Sequence, residues 1–286
     1  MTDELQNHIE KELDERIIKF SILSGGDISN AYKVNTAINS FFIKCNASPN
    51  ALDMFEKEAL GLNLIRQTNT IKTPDVISYG SFNGHAYLIL EHIESKSASS
   101  NDFQRFGEQL AKLHICTSKN FGLNTDNFIG RLQQTNSFKN DWLGFYTDER
   151  LIPQLSLSKR KGLLSERECP STQEIKNRLY VPFEGIRASL LHGDLWGGNY
   201  LISKDGTPYL IDPAVYYGHN EVDIAMSKLF GGFGKAFYEA YHAIIPEDEH
   251  TNVRMEIYQL YYLLIHLNMF GSSYYRAVKR ILNRYF

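Results

Sequence analysis

At 286 residues, with 43% hydrophobic and 22% charged content, the sequence describes an ordinary globular protein, long enough for two lobes as readily as one. A formal charge of −3 lacks the basic excess of a general nucleic-acid or membrane-surface binder. Cys45, Cys116 and Cys169 are widely spaced with no CxxC pair, which disfavours a zinc site or a disulfide framework.

The first fifteen residues are strongly charged, unlike a secretory signal, and the expected compartment is the cytoplasm. Residues 2–18 read as a helix, with Leu5, Ile9, Leu13 and Ile17 on one stripe. Residues 20–23 lead into a Gly-rich turn, Ser24 to Asn30, followed by a strand over 31–36. Such a turn can bring backbone N–H groups onto phosphates, because glycine has no Cβ to obstruct them. The same residues also fit a plain hairpin turn, and the GxxxxGK[ST] pattern is absent.

The next strand, 41–45, carries Lys44 within an apolar run. An ammonium there needs a partner or a route to water. A phosphate-contacting lysine steadied by a helical glutamate is the functional reading, and residues 51–66 supply the helix. Glu56 and Glu58 are both available; Glu58, one turn before Leu62, is the preferred partner. Strands follow at 74–80 and 87–91. After the polar loop 95–101, helical patterns dominate, so the lobe boundary is expected near residue 93: 1–93 as a nucleotide-binding lobe and 94–286 as a helical lobe.

Helix 102–117 ends near His114, read as a packed or capping histidine. Residues 118–137 read as a polar loop, Trp142 opens another helix, and 156–180 form one or two amphipathic helices. Residues 235–286 are helical and dense in tyrosine, a pattern typical of core or core edge. The apolar stretch 258–270 is interrupted by Gln259, His266 and Asn268, and is too short and too polar to span a bilayer.

Residues 190–214 hold the chemistry. Asp194 follows His192-Gly193, Asn199 comes five residues later, and Asp212 thirteen after that. Two acids and an amide at these separations suit phosphoryl transfer, with one carboxylate taking a hydroxyl proton while the amide and the second carboxylate hold Mg²⁺ on the phosphates. A hairpin with its turn at 204–206 is the structural reading of the same residues, and the two are compatible.

The strings His192-Gly193-Asp194-Leu195-Trp196-Gly197-Gly198-Asn199, Ile211-Asp212-Pro213-Ala214 and Tyr217-Gly218-His219-Asn220-Glu221 resemble the fructosamine-3-kinase (ketosamine-3-kinase) family, over nearly the whole chain. That resemblance implies an α+β, bilobal protein-kinase-like fold shared with aminoglycoside and choline kinases. It implies ATP and Mg²⁺ as cofactors and phosphorylation of a ketosamine 3-hydroxyl in deglycation. By matching position, Asp194 would be the base and Asn199 and Asp212 the metal ligands. Lys44, held by Glu58, would meet the nucleotide phosphates under the loop containing Gly25, Gly26, Ser29 and Asn30. Glu91, His92 and Ile93 would form the connector whose backbone meets the adenine edge. Asp223 resembles the helix acid that braces the catalytic loop.

Trp196 stands two residues after the catalytic acid, where protein kinases keep a lysine. Pro213-Ala214 replaces Phe-Gly, and the ten-residue gap to Asp223 leaves no room for an activation segment. Some members of the family carry a cysteine in the Gly-rich loop that links two chains; Asp27 stands in that place here. Trp196, His219, Glu221 and His266 are candidate substrate contacts, with core packing or loop bracing as the alternatives for the first three. The partner expected is a ketosamine or a glycated amine or protein, acted on by a monomer or homodimer. Another small alcohol of the aminoglycoside or choline type is the alternative acceptor, and an inactive kinase-like binding module the non-enzyme alternative.

Overall fold

Residues 2–23 and 29–286 are described in the computed structural model. They divide into two units: Met1–Ala98 with Tyr200–Pro213, and Ser99–Asn199 with Ala214–Phe286. This division differs from a single break near residue 93 in two ways. It falls after Ala98, and residues 200–213 belong with the first unit. The reason is backbone pairing: Lys96 N–H donates to Ile202, Lys204 N–H to Glu94 and Leu210 N–H to Lys72, at 2.9–3.1 Å.

The first unit is an antiparallel five-stranded sheet with a helix on each face. Its strands β1 (Lys19–Leu23), β2 (Asn30–Asn35), β3 (Ser40–Asn46), β4 (Val76–Phe82) and β5 (His85–Glu91) lie in the order β1-β2-β3-β5-β4. Alternation along β3 decides what faces what. Phe41, Ile43 and Cys45 pack with Leu5 and Ile9 of helix α1 (Asp3–Leu13), whereas Phe42 turns to the opposite face, covered by Phe55, Ala59 and Leu62 of helix α2 (Ala51–Gln67). The period therefore aims Lys44 at α2. Helix α1 is shorter than the 2–18 pattern indicates: Asp14, at φ 52°, turns left-handed and its N–H closes onto Glu10 and Lys11.

The second unit is mainly helical. Helix α3 (Ser100–Ile115) begins in a capping box between Ser99 and Asp102 and crosses the helix Lys235–His242 at Gly107. A Cβ at Gly107 would lie 2.2 Å from the Phe237 carbonyl, so the close crossing requires glycine. The helix Thr251–Phe270 buries side chains around most of its circumference and carries the tyrosine-rich stretch into the core. Residues 118–137 are more ordered than a loop, with a hairpin pairing Asn127–Ile129 to Leu132–Gln134. A three-stranded sheet of Thr117–Ser118, Ala188–Leu191 and Tyr216–Gly218 places Ala188–Leu191 at its centre, and that strand runs straight into His192-Gly193-Asp194. Among the described residues, no helix is long and apolar enough to cross a membrane.

Candidate active site

In the first unit, Lys44 Nζ lies 2.8 and 2.9 Å from the two carboxylate oxygens of Glu58 and 2.6 Å from Asp212 Oδ1. Glu56 is exposed, so Glu58 is the partner on α2. Burial opposes the charge on Lys44, but the carboxylates of Asp212 and Glu58 outweigh it and hold the ammonium well above its usual pKa. Burial together with Asp212 works the other way on Glu58, pushing it up to about 7 against the pull of Lys44. Two carboxylates share one ammonium, and that imbalance leaves the cluster receptive to a further cation.

Asp212 stands at the end of the hairpin formed by Tyr200–Ile202 and Pro208–Leu210, with its turn at residues 203–207. Its φ of 56° is left-handed, a conformation that aspartate tolerates better than most residues, and Pro213 follows it. The residue before a proline is normally driven to extended backbone, so the conformation is held by its surroundings.

Ser29 and Asn30 also lie in this unit: Asn46 Nδ2 donates to Ser29 Oγ at 3.2 Å, and Asn30 pairs with Cys45 in the sheet. Gly25, Gly26 and Asp27 lie outside the described residues. Glu91 closes β5, its N–H donating to Asp75, while the Glu91 carboxylate accepts the N–H of Asp75 in return. His92 N–H reaches the Ser40 carbonyl at 3.3 Å, and its buried Nδ1 has no partner among the described residues. Ile93 follows directly, outside any strand.

In the second unit, His192-Gly193-Asp194 is held from below by Asp223. Asp223 is wholly buried on the helix Glu221–Leu229 and accepts the backbone N–H groups of His192 at 2.7 Å and Gly193 at 2.9 Å. His114 Nε2 also reaches Asp223, at 3.1 Å. A carboxylate accepts, so His114 carries its proton on Nε2. Its Nδ1 then accepts from the Tyr241 hydroxyl at 2.7 Å, and Asn220 Nδ2 donates to that same hydroxyl. His114 is thus a packed histidine within the brace.

The Gly193 carbonyl accepts the hydroxyl of Tyr262 at 2.9 Å. Gly193 itself is at φ 85°, and a Cβ there would come 2.1 Å from the Ala214 carbonyl, so only glycine fits. Nothing in the sequence distinguishes Tyr262 from its neighbours in the tyrosine stripe; only the turn of the helix gives it the loop.

Asp194 is half-buried. Asn199 Nδ2 donates to its backbone carbonyl at 2.8 Å and to Oδ2 at 3.1 Å, which fixes the carboxylate and leaves Asn199 Oδ1 as an acceptor. Trp196 is 39% exposed, so it is not core packing. Its indole lies over Gly198, where a Cβ would fall 2.4 Å from Cζ2, and this accounts for glycine two residues on.

Two of the candidate substrate contacts, Glu221 and His219, are buried and partnered by the helix Thr251–Phe270. Glu221 is buried, with both oxygens bonded to Arg254 at 2.6 and 2.7 Å and one also to Thr251. Burial works against its charge, but Arg254 outweighs it and holds its carboxyl below the usual range. His219 Nδ1 pairs with the Tyr258 hydroxyl at 2.9 Å. Although Glu221 is 3.7 Å away, burial lowers the His219 pKa to about 4, so at neutral pH this contact is not an ion pair.

His266 differs from these two. Its Nδ1 lies 2.8 Å from the Tyr262 carbonyl, which only accepts, so the proton is on Nδ1 and neutral His266 keeps an acceptor at Nε2. The rings of Phe230, Phe270 and Tyr274 surround it at 4.7–5.5 Å, and burial lowers its pKa.

Among the described residues, no group of three or more His, Cys, Asp or Glu forms a metal site. Mg²⁺ is typically held by one or two carboxylates with substrate phosphates and water completing its shell. Asp212, in an acid-rich cluster, and Asn199, with Oδ1 open, are donors of the right kind.

The Fructosamine kinase family model matches residues 1–286. The curated "Probable ketoamine kinase" of Lactiplantibacillus plantarum is 40% identical over 265 residues, covering 92% of each chain. A chloroplastic protein-ribulosamine 3-kinase of Arabidopsis thaliana is 38% identical, over 94% of this chain and 83% of its own. The crystal structure of a "Putative fructosamine-3-kinase" from Haemophilus somnus superposes with a TM-score of 0.88 at 29% identity, covering 99% of this chain and 96% of its own. An aminoglycoside phosphotransferase in complex with ADP and hygromycin B gives a TM-score of 0.65 at 14% identity, covering 98% of both chains, which speaks to the fold alone. The fold is therefore α+β and protein-kinase-like, and the chain belongs to the fructosamine kinase family.

Proposed function

We propose that the protein is an ATP-dependent kinase that phosphorylates the 3-hydroxyl of a ketosamine, the first step of deglycation. The observation that carries this reading is the held carboxylate of Asp194. It sits on a loop braced through two amides and one carbonyl, is oriented by Asn199, and lies two residues from an exposed tryptophan. In this role Asp194 accepts the proton of the sugar 3-hydroxyl as that oxygen attacks the γ-phosphorus and the bond to ADP breaks. Lys44, steadied by Glu58, meets the nucleotide phosphates, to which Ser29 and Asn30 at the end of the Gly-rich turn also contribute. Glu91, His92 and Ile93 present backbone to the adenine edge. Asp212 and Asn199 would hold Mg²⁺, which neutralises charge on the phosphates when bound. Positioning and electrostatics supply most of the rate in such a reaction, which is why a pre-braced loop suits it.

Trp196 forms one wall for the sugar. His266 supports the choice of acceptor: its Nε2 lone pair, among aromatic rings, suits the N–H of a substrate ammonium. A quaternary choline offers no such hydrogen. The test is a panel of ribulosamine, erythrulosamine, fructosamine, choline and aminoglycosides with ATP and Mg²⁺, with the product's phosphate position read by NMR. Turnover of ketosamines at the 3-hydroxyl is expected. Turnover of choline or aminoglycosides alone overturns the acceptor, and nucleotide binding with no transfer to any alcohol overturns the enzyme.

A further inference from the structure

One face of the second unit is basic in a chain whose net charge is −3. Residues 159–168 and 272–286 together hold eight Lys and Arg against two acidic side chains. Both acids are already engaged: Glu166 accepts from Lys159 at 3.0 Å and Glu168 from Lys279 at 2.5 Å, while Glu256, outside the two segments, accepts from Arg284 at 2.6 Å. Glu168 also accepts the Tyr275 hydroxyl, which ties residues 166–168 to the helix Tyr275–Tyr285. Lys161 Nζ donates to the Asn268 carbonyl at 2.6 Å, where a cation complements the negative end of the helix Thr251–Phe270. Arg160, Lys161, Arg167, Arg276 and Arg280 are all exposed. A single exposed pair contributes little, but a cluster of one sign sets the field over a surface and attracts the opposite charge.

The helix Thr251–Phe270 connects the loop to this surface. Tyr262 holds the Gly193 carbonyl, and Asn268, where the basic surface begins, is six residues further along the same helix, about 9 Å at 1.5 Å per residue. A phosphate at the far end of the acceptor sugar lies roughly 6 Å from its 3-hydroxyl, since about five bonds of ~1.5 Å separate them along a zigzag chain. Residues flanking a modified lysine in an extended peptide add about 3.5 Å each beyond the side chain. The longer tether reaches this surface more naturally than a phosphate on the sugar itself.

We propose that this basic surface docks acidic residues flanking the modified amine of a polypeptide acceptor. The proposal rests on the ketosamine-kinase reading and specifies the carrier. The test compares ribulosamine-bearing lysine peptides with acidic or neutral flanks, and a free ribulosamine and its 5-phosphate, in the wild type and in the exposed double variant Arg276→Glu/Arg280→Glu. The wild type is expected to favour acidic over neutral flanks about tenfold in kcat/KM at low salt. That preference should vanish in the double variant and shrink at high salt, where the Debye length falls to about 3 Å at 1 M. Turnover of free ribulosamine should be equal in both proteins, which shows that the fold and the reaction are intact.

Equal kcat/KM for acidic and neutral peptides in the wild type overturns the proposal. So does a preference that persists in the double variant. A gain confined to the 5-phosphate assigns the surface to sugar phosphates instead, and tight binding of RNA or anionic vesicles lost in the double variant assigns it to those partners. Fluorescence anisotropy with the unmodified acidic peptide reads docking without turnover. Binding there that is abolished by the double variant, in a protein that phosphorylates no ketosamine, would separate failure of the kinase reading from failure of the docking surface.

Discussion

The two halves of the candidate machinery are held by different physics. Lys44, Glu58 and Asp212 form a cluster of three charges, in which Asp212 remains partly open to solvent. The loop at residues 192–194 is held by buried, direction-specific hydrogen bonds: two amides donate to Asp223, the Tyr262 hydroxyl donates to one carbonyl, and His114 bonds Asp223 behind them. A charge cluster can exchange partners when phosphates and a cation arrive. The loop bonds to Asp223 and Tyr262 are directional and buried. The first half is therefore suited to bind and release, and the second to keep a carboxylate still.

The comparison can be broken most severely at Asp223. Asp223→Ala leaves two loop amides and His114 without their shared acceptor in a buried site, and should destabilise the protein by about 3–5 kcal/mol. A melting temperature within a degree or two of wild type would show that the loop does not depend on this acid. Lys44→Met should behave oppositely. It should leave the fold largely intact by thermal melt while lowering kcat by roughly 10²–10³, the scale for loss of one charge-stabilising donor. Equal losses of stability and rate in the two variants would erase the distinction between the halves.

A pH series sharpens the contrast further. His219 is kept neutral by burial, with a folded pKa of about 4 against an ordinary 6.5, so on acidification the unfolded chain takes up the proton first. Its contribution to stability is fully present above about pH 6.5 and is lost progressively as pH falls toward 4, by up to about 3 kcal/mol. His219→Gln should flatten that part of the stability profile in urea titrations. An unchanged slope would mean that His219 is already charged in the fold.

Much of this was legible in the sequence because the chemistry constrains residue type and spacing together. Lys44 stood out as a charge inside an apolar strand, and the period of two in β3 sends it to the α2 face whatever the remainder of the fold. The hairpin that ends at Asp212 was legible because its turn residues are unambiguous. Residues 200–213 joined the first unit through backbone bonds to residues 72, 94 and 96, a pairing that leaves no trace in side-chain pattern. His219 and Glu221 looked like substrate contacts because polar residues near a catalytic motif usually raise that expectation. Arg254 and Tyr258, more than thirty residues downstream, claim them instead. Tyr262 was hidden for the converse reason, since a tyrosine in a tyrosine-rich helix gives no sign of which hydroxyl meets the loop.

The account rests most directly on Asp194 as proton acceptor. Asp194→Asn should retain the fold and the affinity for ATP with Mg²⁺, measured by calorimetry, while transfer to a ketosamine in a single-turnover assay falls by at least ~10³. Transfer at the wild-type rate with nucleotide affinity unchanged would contradict it.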